Sequence, residues 1–165
     1  MGQVPKKEAT PDELKKLGAL LEEHNIEALV AKHKPQGLSI RFDVEWLDDD
    51  ALAASFPRLH SARPYFITLS PLLLEYGLTD RVSFSTVILH ELGHVIDRTQ
   101  NWTRYASLDA ENHEVLEYEA DDFVVACGWK DSLIETLQRA IALGPEHRAS
   151  EGMARKRLSR LSDAN

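Results

Sequence analysis

Thr79-Asp80-Arg81-Val82-Ser83-Phe84-Ser85-Thr86-Val87-Ile88-Leu89-His90-Glu91-Leu92-Gly93-His94-Val95-Ile96-Asp97-Arg98 is the stretch on which the reading of this chain turns. Thr79 and Asp80 are both residue types that cap a helix N-terminus, so a helix is predicted from there to about Arg98. Phe84, Val87, Ile88, Leu89, Leu92 and Val95 leave it almost no polar face, and such a helix is buried nearly all round. Into this apolar helix are set His90, Glu91 and His94. Residues four apart share a helix face, so both imidazoles can reach one ion. Glu91, one step round, is offset from them, which suits a base that touches a metal's water without itself ligating. Gly93 lets another element come close.

Upstream, Thr10-Pro11-Asp12-Glu13 is a strong helix start: a Thr cap, Pro in the first turn and Glu three residues after the cap. Leu14, Leu17, Leu20 and Leu21 form one apolar face, continued by Ile26, Leu29 and Val30 past a break at Asn25. Pro35-Gln36-Gly37 is a turn. Ser39 to Leu47 alternates as a strand does, with Ile40, Phe42, Val44 and Trp46 on one side. Asp48 to Asp50 end it, and a short helix is expected up to Phe56. Tyr65 to Leu69 reads as a second strand, followed by a helical turn at Leu72–Tyr76.

Downstream, a polar loop is expected from Thr99 to Asp109. A helix follows from about Ala110 to Cys127, stopped by Gly128, and another runs from Asp131 to Leu143, stopped by Gly144-Pro145. Ser150 is the expected cap of the last helix. The fold class is α+β: a small twisted sheet, a buried helix behind it and a glutamate-bearing helix crossing that. Residues 1–9 read as a tail and 10–165 as a single domain.

Two histidines do not complete a catalytic zinc site, which takes three protein ligands and keeps one position for water. A third histidine further along the same segment is excluded, because Asp97 and Gln100 stand where that pattern needs Gly and His. The downstream helix must supply the ligand, and Glu117-Tyr118-Glu119-Ala120-Asp121 is the best candidate. Glu117 and Asp121 are four apart and point the same way. One can ligate while the other accepts the spare ring N–H of a metal-bound histidine. Ala120 leaves room for the two helices to touch. Glu111, Glu114, Glu119 and Asp122 read as a solvated face.

Ile88 to Val95, followed by the Glu117–Phe123 segment, resembles the gluzincin peptidases, in particular the prenyl-protein and heat-shock membrane proteases and their soluble minigluzincin relatives. The likeness covers about residues 65–160. It implies a zincin-like domain, with the first Glu of the E-x-x-A-D segment, here Glu117, as third zinc ligand and its Asp, here Asp121, supporting a zinc histidine. It also implies an endopeptidase using Zn2+, with Glu91 as general base. The family places a histidine before a basic C-terminal helix to stabilise the oxyanion, and His147 ahead of Arg155–Leu158 is the loose match. Tyr105, His113 and Arg104 are rivals for that role. His24, His33 and His60 read as ordinary surface or strand-edge histidines. The chain departs from the larger relatives in lacking their membrane helices, in a short gap between the motifs, and in residues 1–60. A more distant likeness is to short cytosolic metallopeptidases that cleave phage-type repressors.

Composition agrees with a globular domain. The 165 residues are 43% hydrophobic and 28% charged, enough for a core without staples. A net charge of −8 disfavours a nucleic-acid partner. The basic run Arg155, Lys156, Arg157 and Arg160 reads as a solvated helix face. A lone Cys127 among Val124, Val125 and Ala126 reads as a buried, inert thiol. No apolar run nears the ~18 residues a membrane span needs, and no signal peptide is evident, so a cytoplasmic location is expected. Expected partners are a protein or peptide substrate, held as an added strand along an open edge of Tyr65–Leu69. The rival readings are a latent or inactive zincin that keeps zinc for stability as a binding protein, and a repressor-cleaving metallopeptidase.

Overall fold

The computed structural model describes residues 7–47, 51–57, 65–143 and 148–164. The first helix, α1 (Pro11–Glu23), starts from a complete capping box. The Thr10 hydroxyl accepts from the Glu13 N–H, and the Glu13 carboxylate accepts from the Thr10 N–H. The break foreseen at Asn25 is a left-handed residue (φ 53), a conformation Asn adopts more readily than most. It leads into α2 (Ile26–His33). Leu17, Ile26 and Val30 enter the core, whereas Leu14, read on the same face, is exposed. Within the segment read as a tail, Lys7 is placed over the Trp46 ring, 3.4 Å from its centroid.

Three strands, β1 (Ile40–Val44), β2 (Ala53–Pro57) and β3 (Tyr65–Leu69), form one sheet in the order β1-β3-β2. β1 runs parallel to β3, with Ile40 opposite Tyr65 and Val44 opposite Leu69. β2 runs antiparallel to β3, with Ala53 opposite Leu69 and Pro57 opposite Tyr65. Two expectations fail here. The segment leading to Phe56 is not a helix but β2, since pairing along β3 overrides the weak local preference of Ala53, Ala54 and Ser55. β3 is not an edge but the central strand, paired on both sides, so no peptide can add to it. Pro64, whose missing N–H suits an edge strand or a strand start, lies outside the described residues.

The open edge near the central helix belongs to β2. The Ser70 N–H donates to the Leu52 carbonyl. By the alternation of an antiparallel ladder, the Ser55 carbonyl then points away from β3. Arg98 Nη1 donates to it at 2.9 Å.

After the short α3 (Leu72–Glu75), the Asp80 carboxylate accepts from the Ser83 N–H and opens α4 (Arg81–Gln100). From Ser83 to Ile96 every residue of α4 except Val87 is buried, as its composition foretold. The expected loop at 99–109 is instead largely α5 (Trp102–Glu111), capped by the Asn101 side chain on the Arg104 N–H and anchored by buried Tyr105. A break at Asn112 separates it from α6 (His113–Ala126), and Gly128 (φ 86) ends that helix as foreseen. α7 (Lys130–Ala142) and α8 (Arg148–Asp163) complete the chain. Ser150 lies inside α8 rather than capping it. None of the helices, among the described residues, is long and apolar enough to cross a membrane.

α4 packs most extensively against α6. A Cβ placed on Gly93 would lie 3.1 Å from the Ala120 Cα and 3.3 Å from the Ala120 carbonyl oxygen. The missing side chain of Gly93 permits that crossing, and Ala120, the small residue facing it, is buried there. The crossing brings the acidic face of α6 onto the histidine face of α4.

Candidate metal centre

His90, Glu91 and His94 are all buried, although they are polar residues on an otherwise apolar helix. One donor atom from each lies within 4.8 Å of the other two, so the group could hold a metal ion. A buried polar cluster of this kind is costly unless its members are paired or coordinate an ion. Glu117 of α6 closes the cluster from the opposite side. Its Oε2 is 3.1 Å from His90 Nε2 and its Oε1 is 3.1 Å from His94 Nε2. The two Nε2 atoms are themselves 3.1 Å apart. A tetrahedral ion bound at about 2.0–2.1 Å would set neighbouring donors roughly 3.3 Å apart. The separation of the two Nε2 atoms, and that of each from one Glu117 oxygen, is close to this spacing.

Asp121, one turn after Glu117 and fully buried, holds the far side of His90. Its Oδ1 is 3.0 Å from His90 Nδ1. The same oxygen also accepts from Arg157 Nη2 at 2.6 Å, and Oδ2 accepts from Arg157 Nε at 2.8 Å. The ionised Asp121 carboxylate only accepts, so its contact calls for the hydrogen on His90 Nδ1, beside which Arg157 Nη2 also lies at 3.1 Å. Nε2 is then the nitrogen turned to the centre, the arrangement typical of a metal-bound histidine.

The charges tell the same story. Burial and the Arg157 charge both disfavour protonated His90, yet Glu117 and Asp121 outweigh them and push its pKa up to about 9. Burial alone would raise Glu117, but His90 and the hydrogen bonds from His113, His90 and His94 hold it well below the usual carboxylate range. Burial likewise opposes ionised Asp121, and its hydrogen bonds to His90 and Arg157 bring it down to about 2. Two ionised carboxylates thus draw positive charge into the space between them, and a proton on His90 stands where a cation would serve.

Two further residues join the site, one of which sequence reading misjudged. Arg157, assigned to a solvated face, is largely buried against Asp121, with Nη1 3.5 Å from Glu117 Oε2. The signal was present: 157 falls on the same stripe of α8 as Ala154 and Leu161, both buried. Its neighbours do face outward, Lys156 to Glu114 and Arg160 to Asp122. His113, one of the rivals named for oxyanion stabilisation, stands at the exposed side of the site with Nε2 3.2 Å from Glu117 Oε1. Its ring stacks beside that of His94 at 6.5 Å.

The other candidates sort as follows. Tyr105 is buried, its ring 6.4 Å from that of His94, and its hydroxyl accepts from Arg98 Nη2. Arg104 pairs with Glu119 on the surface. His147 lies outside the described residues, as does His60. His24 Nε2 donates to the Thr79 carbonyl at 2.7 Å, which places the ring hydrogen on that nitrogen. Cys127 is half-buried, and burial pushes its thiol pKa up, in keeping with an inert thiol. Neither a family model, nor a curated protein, nor a solved structure matches the chain.

Proposed function

We propose that the protein is a zinc metallopeptidase, with His90, His94 and Glu117 as metal ligands and Glu91 as general base. The observation that carries this reading is the meeting of His90 Nε2 and His94 Nε2, 3.1 Å apart, with the Glu117 carboxylate, whose Oε2 and Oε1 lie 3.1 Å from them respectively, and with the buried Glu91 carboxylate beside them. Two imidazoles and one carboxylate are the ligand set of catalytic zinc sites that keep an open position. A zinc ion held there supplies Lewis acidity and lowers the pKa of water to roughly 7.

The residues then divide the work. The Glu91 carboxylate takes the proton of the attacking water and delivers it to the nitrogen of the departing amine. Asp121, clamped by Arg157, fixes the ring orientation of His90. Burial of the whole group keeps the local dielectric low, which strengthens each of these interactions. The substrate class that follows is a peptide bond in a protein or peptide.

Metal analysis and a general protein-hydrolysis assay on wild type and Glu91→Ala test the proposal. The expected result is one zinc per chain in both proteins and hydrolysis in the wild type alone. Equal hydrolysis by the two, or no metal in either, would overturn it. The second reading, a zincin that keeps its metal for stability as a binding protein, is favoured by how fully carboxylates and Arg157 close the cluster. It predicts metal in both proteins, hydrolysis in neither, and a fall in melting temperature when the metal is removed.

A further inference from the structure

Two helices each present a pair of donors at the same spacing. α4 offers His90 and His94, and α6 offers His113 and Glu117, four residues apart and so on one face. The three histidines meet at the Glu117 carboxylate, whose Oε2 lies 3.1 Å from His90 Nε2 and whose Oε1 lies 3.1 Å from His94 Nε2 and 3.2 Å from His113 Nε2. We propose that His113 is a displaceable fourth ligand, which closes the metal site in the resting protein and opens it when the imidazole turns outward.

Three features support this, granted the metal site proposed above. His113 Nε2 stands from Glu117 at a separation close to the roughly 3.3 Å expected between neighbouring ligands of one tetrahedral ion. Its other nitrogen is held as a metal ligand's usually is: Nδ1 lies 3.1 Å from Asp109 Oδ1. His90 has the same support from Asp121, while His94 Nδ1 is buried with no partner among the described residues. By that standard His113 is better prepared to ligate than His94.

The third feature is freedom to leave. His113 is the first residue of α6, and its side chain is 55% exposed where Glu117 is 14% and His90 is 9% exposed. Its half-exposed ring is held by hydrogen bonds to Glu117 and to Asp109, itself on the surface, and lies beside the His94 ring. Four protein ligands make a closed site of the structural kind, and three make an open one of the catalytic kind. One side-chain rotation at the exposed side of the site therefore separates a latent state from an active one.

The test uses the full chain loaded with Zn2+, and with Co2+ as a spectroscopic probe. X-ray absorption of the zinc protein should count three imidazoles in the wild type and two in His113→Ala. Chelator competition should give His113→Ala an affinity at least about 10-fold weaker, as expected when a metal histidine or its support is lost. The visible bands of the Co2+ protein should shift in the same variant, with far-UV circular dichroism unchanged. His90→Ala serves as the reference and should abolish tight binding. Two imidazoles in the wild type, with affinity and spectrum indifferent to His113→Ala, would overturn the inference and leave the three-ligand site intact. Zinc binding indifferent to His90→Ala would overturn both.

Discussion

Arg157 and Asp121 form a two-pronged buried pair, Nε to Oδ2 at 2.8 Å and Nη2 to Oδ1 at 2.6 Å, and that pair backs His90 from the side away from the centre. It links the last helix, α8, to the histidine helix, α4, through a residue of α6. The C-terminal helix is thereby part of the site rather than a cover for it. Removing one member of such a pair leaves the other charged and buried, which typically costs about 3–5 kcal/mol. Arg157→Leu should therefore lower the midpoint of urea unfolding strongly. Arg157→Lys keeps the charge but cannot reproduce the fork, and should bind zinc about 10–100-fold more weakly while remaining folded. An Arg157→Leu protein as stable as wild type would show that the pair contributes little.

Glu117 and Glu119 sit two residues apart on α6 and should behave differently. Glu117 touches three histidines, whereas Glu119 pairs with the half-exposed Arg104. Glu117→Ala should lose most of its metal in elemental analysis. Glu119→Ala should retain it, and its stability should change by less than about 1 kcal/mol, as for an exposed ion pair. Metal loss from Glu119→Ala instead would place the helix in the wrong register.

Asp80 opens α4 and gives a pH dependence with a definite sign. Burial acts to raise its pKa, but the N–H and hydroxyl of Ser83 and the Arg139 guanidinium together lower it. The folded value lies below the unfolded one, near 3.9. Its contribution to stability is therefore complete above about pH 4 and is lost as the pH falls through the folded value. Asp80→Ala should cost about 1 kcal/mol at neutral pH, the usual loss of a cap. Asp80→Asn, which keeps the cap acceptor, should cost less. The gap between wild type and Asp80→Ala should narrow below pH 4 in thermal melts; a gap that is constant with pH would contradict the assignment.

How far the sequence could be read depends on where the deciding interactions are. Elements fixed by local signals were legible: the Thr10 capping box, the Asn25 break, the apolar length of α4 and the Gly128 stop. So was the meeting of α4 with α6, because Gly93 and Ala120 announce a close crossing. β2 was not legible, because Ala53, Ala54 and Ser55 have no strong preference and their strand exists through its pairing with β3. The same long-range pairing put β3 in the centre of the sheet and gave the edge to β2. α5 was hidden in a polar segment whose one anchor is Tyr105. At the site, the α4 residues followed from spacing, but the clamp of Arg157 required knowing that α8 returns to α6.

The closest contact in that crossing yields the last prediction. In a free helix, replacing Gly by Ala gains roughly 0.5–1 kcal/mol, because Gly has more backbone freedom to lose on folding. At Gly93 the new methyl would stand 3.1 Å from the Ala120 Cα, 3.2 Å from the Phe123 Cβ and 3.3 Å from the Ala120 carbonyl oxygen. Two of those three atoms are backbone, so relief requires α6 itself to move by a few tenths of an ångström. Overpacking of this kind typically costs about 1–3 kcal/mol, enough to reverse the helical gain. The displaced helix carries Glu117 one turn before Ala120, opposite His90 and His94. Metal geometry tolerates little such movement, so Gly93→Ala should weaken zinc binding at least about 10-fold while leaving helical content unchanged by circular dichroism. A Gly93→Ala protein with wild-type zinc affinity and a higher melting temperature would mean that α6 yields freely, and that the crossing does not position the ligand.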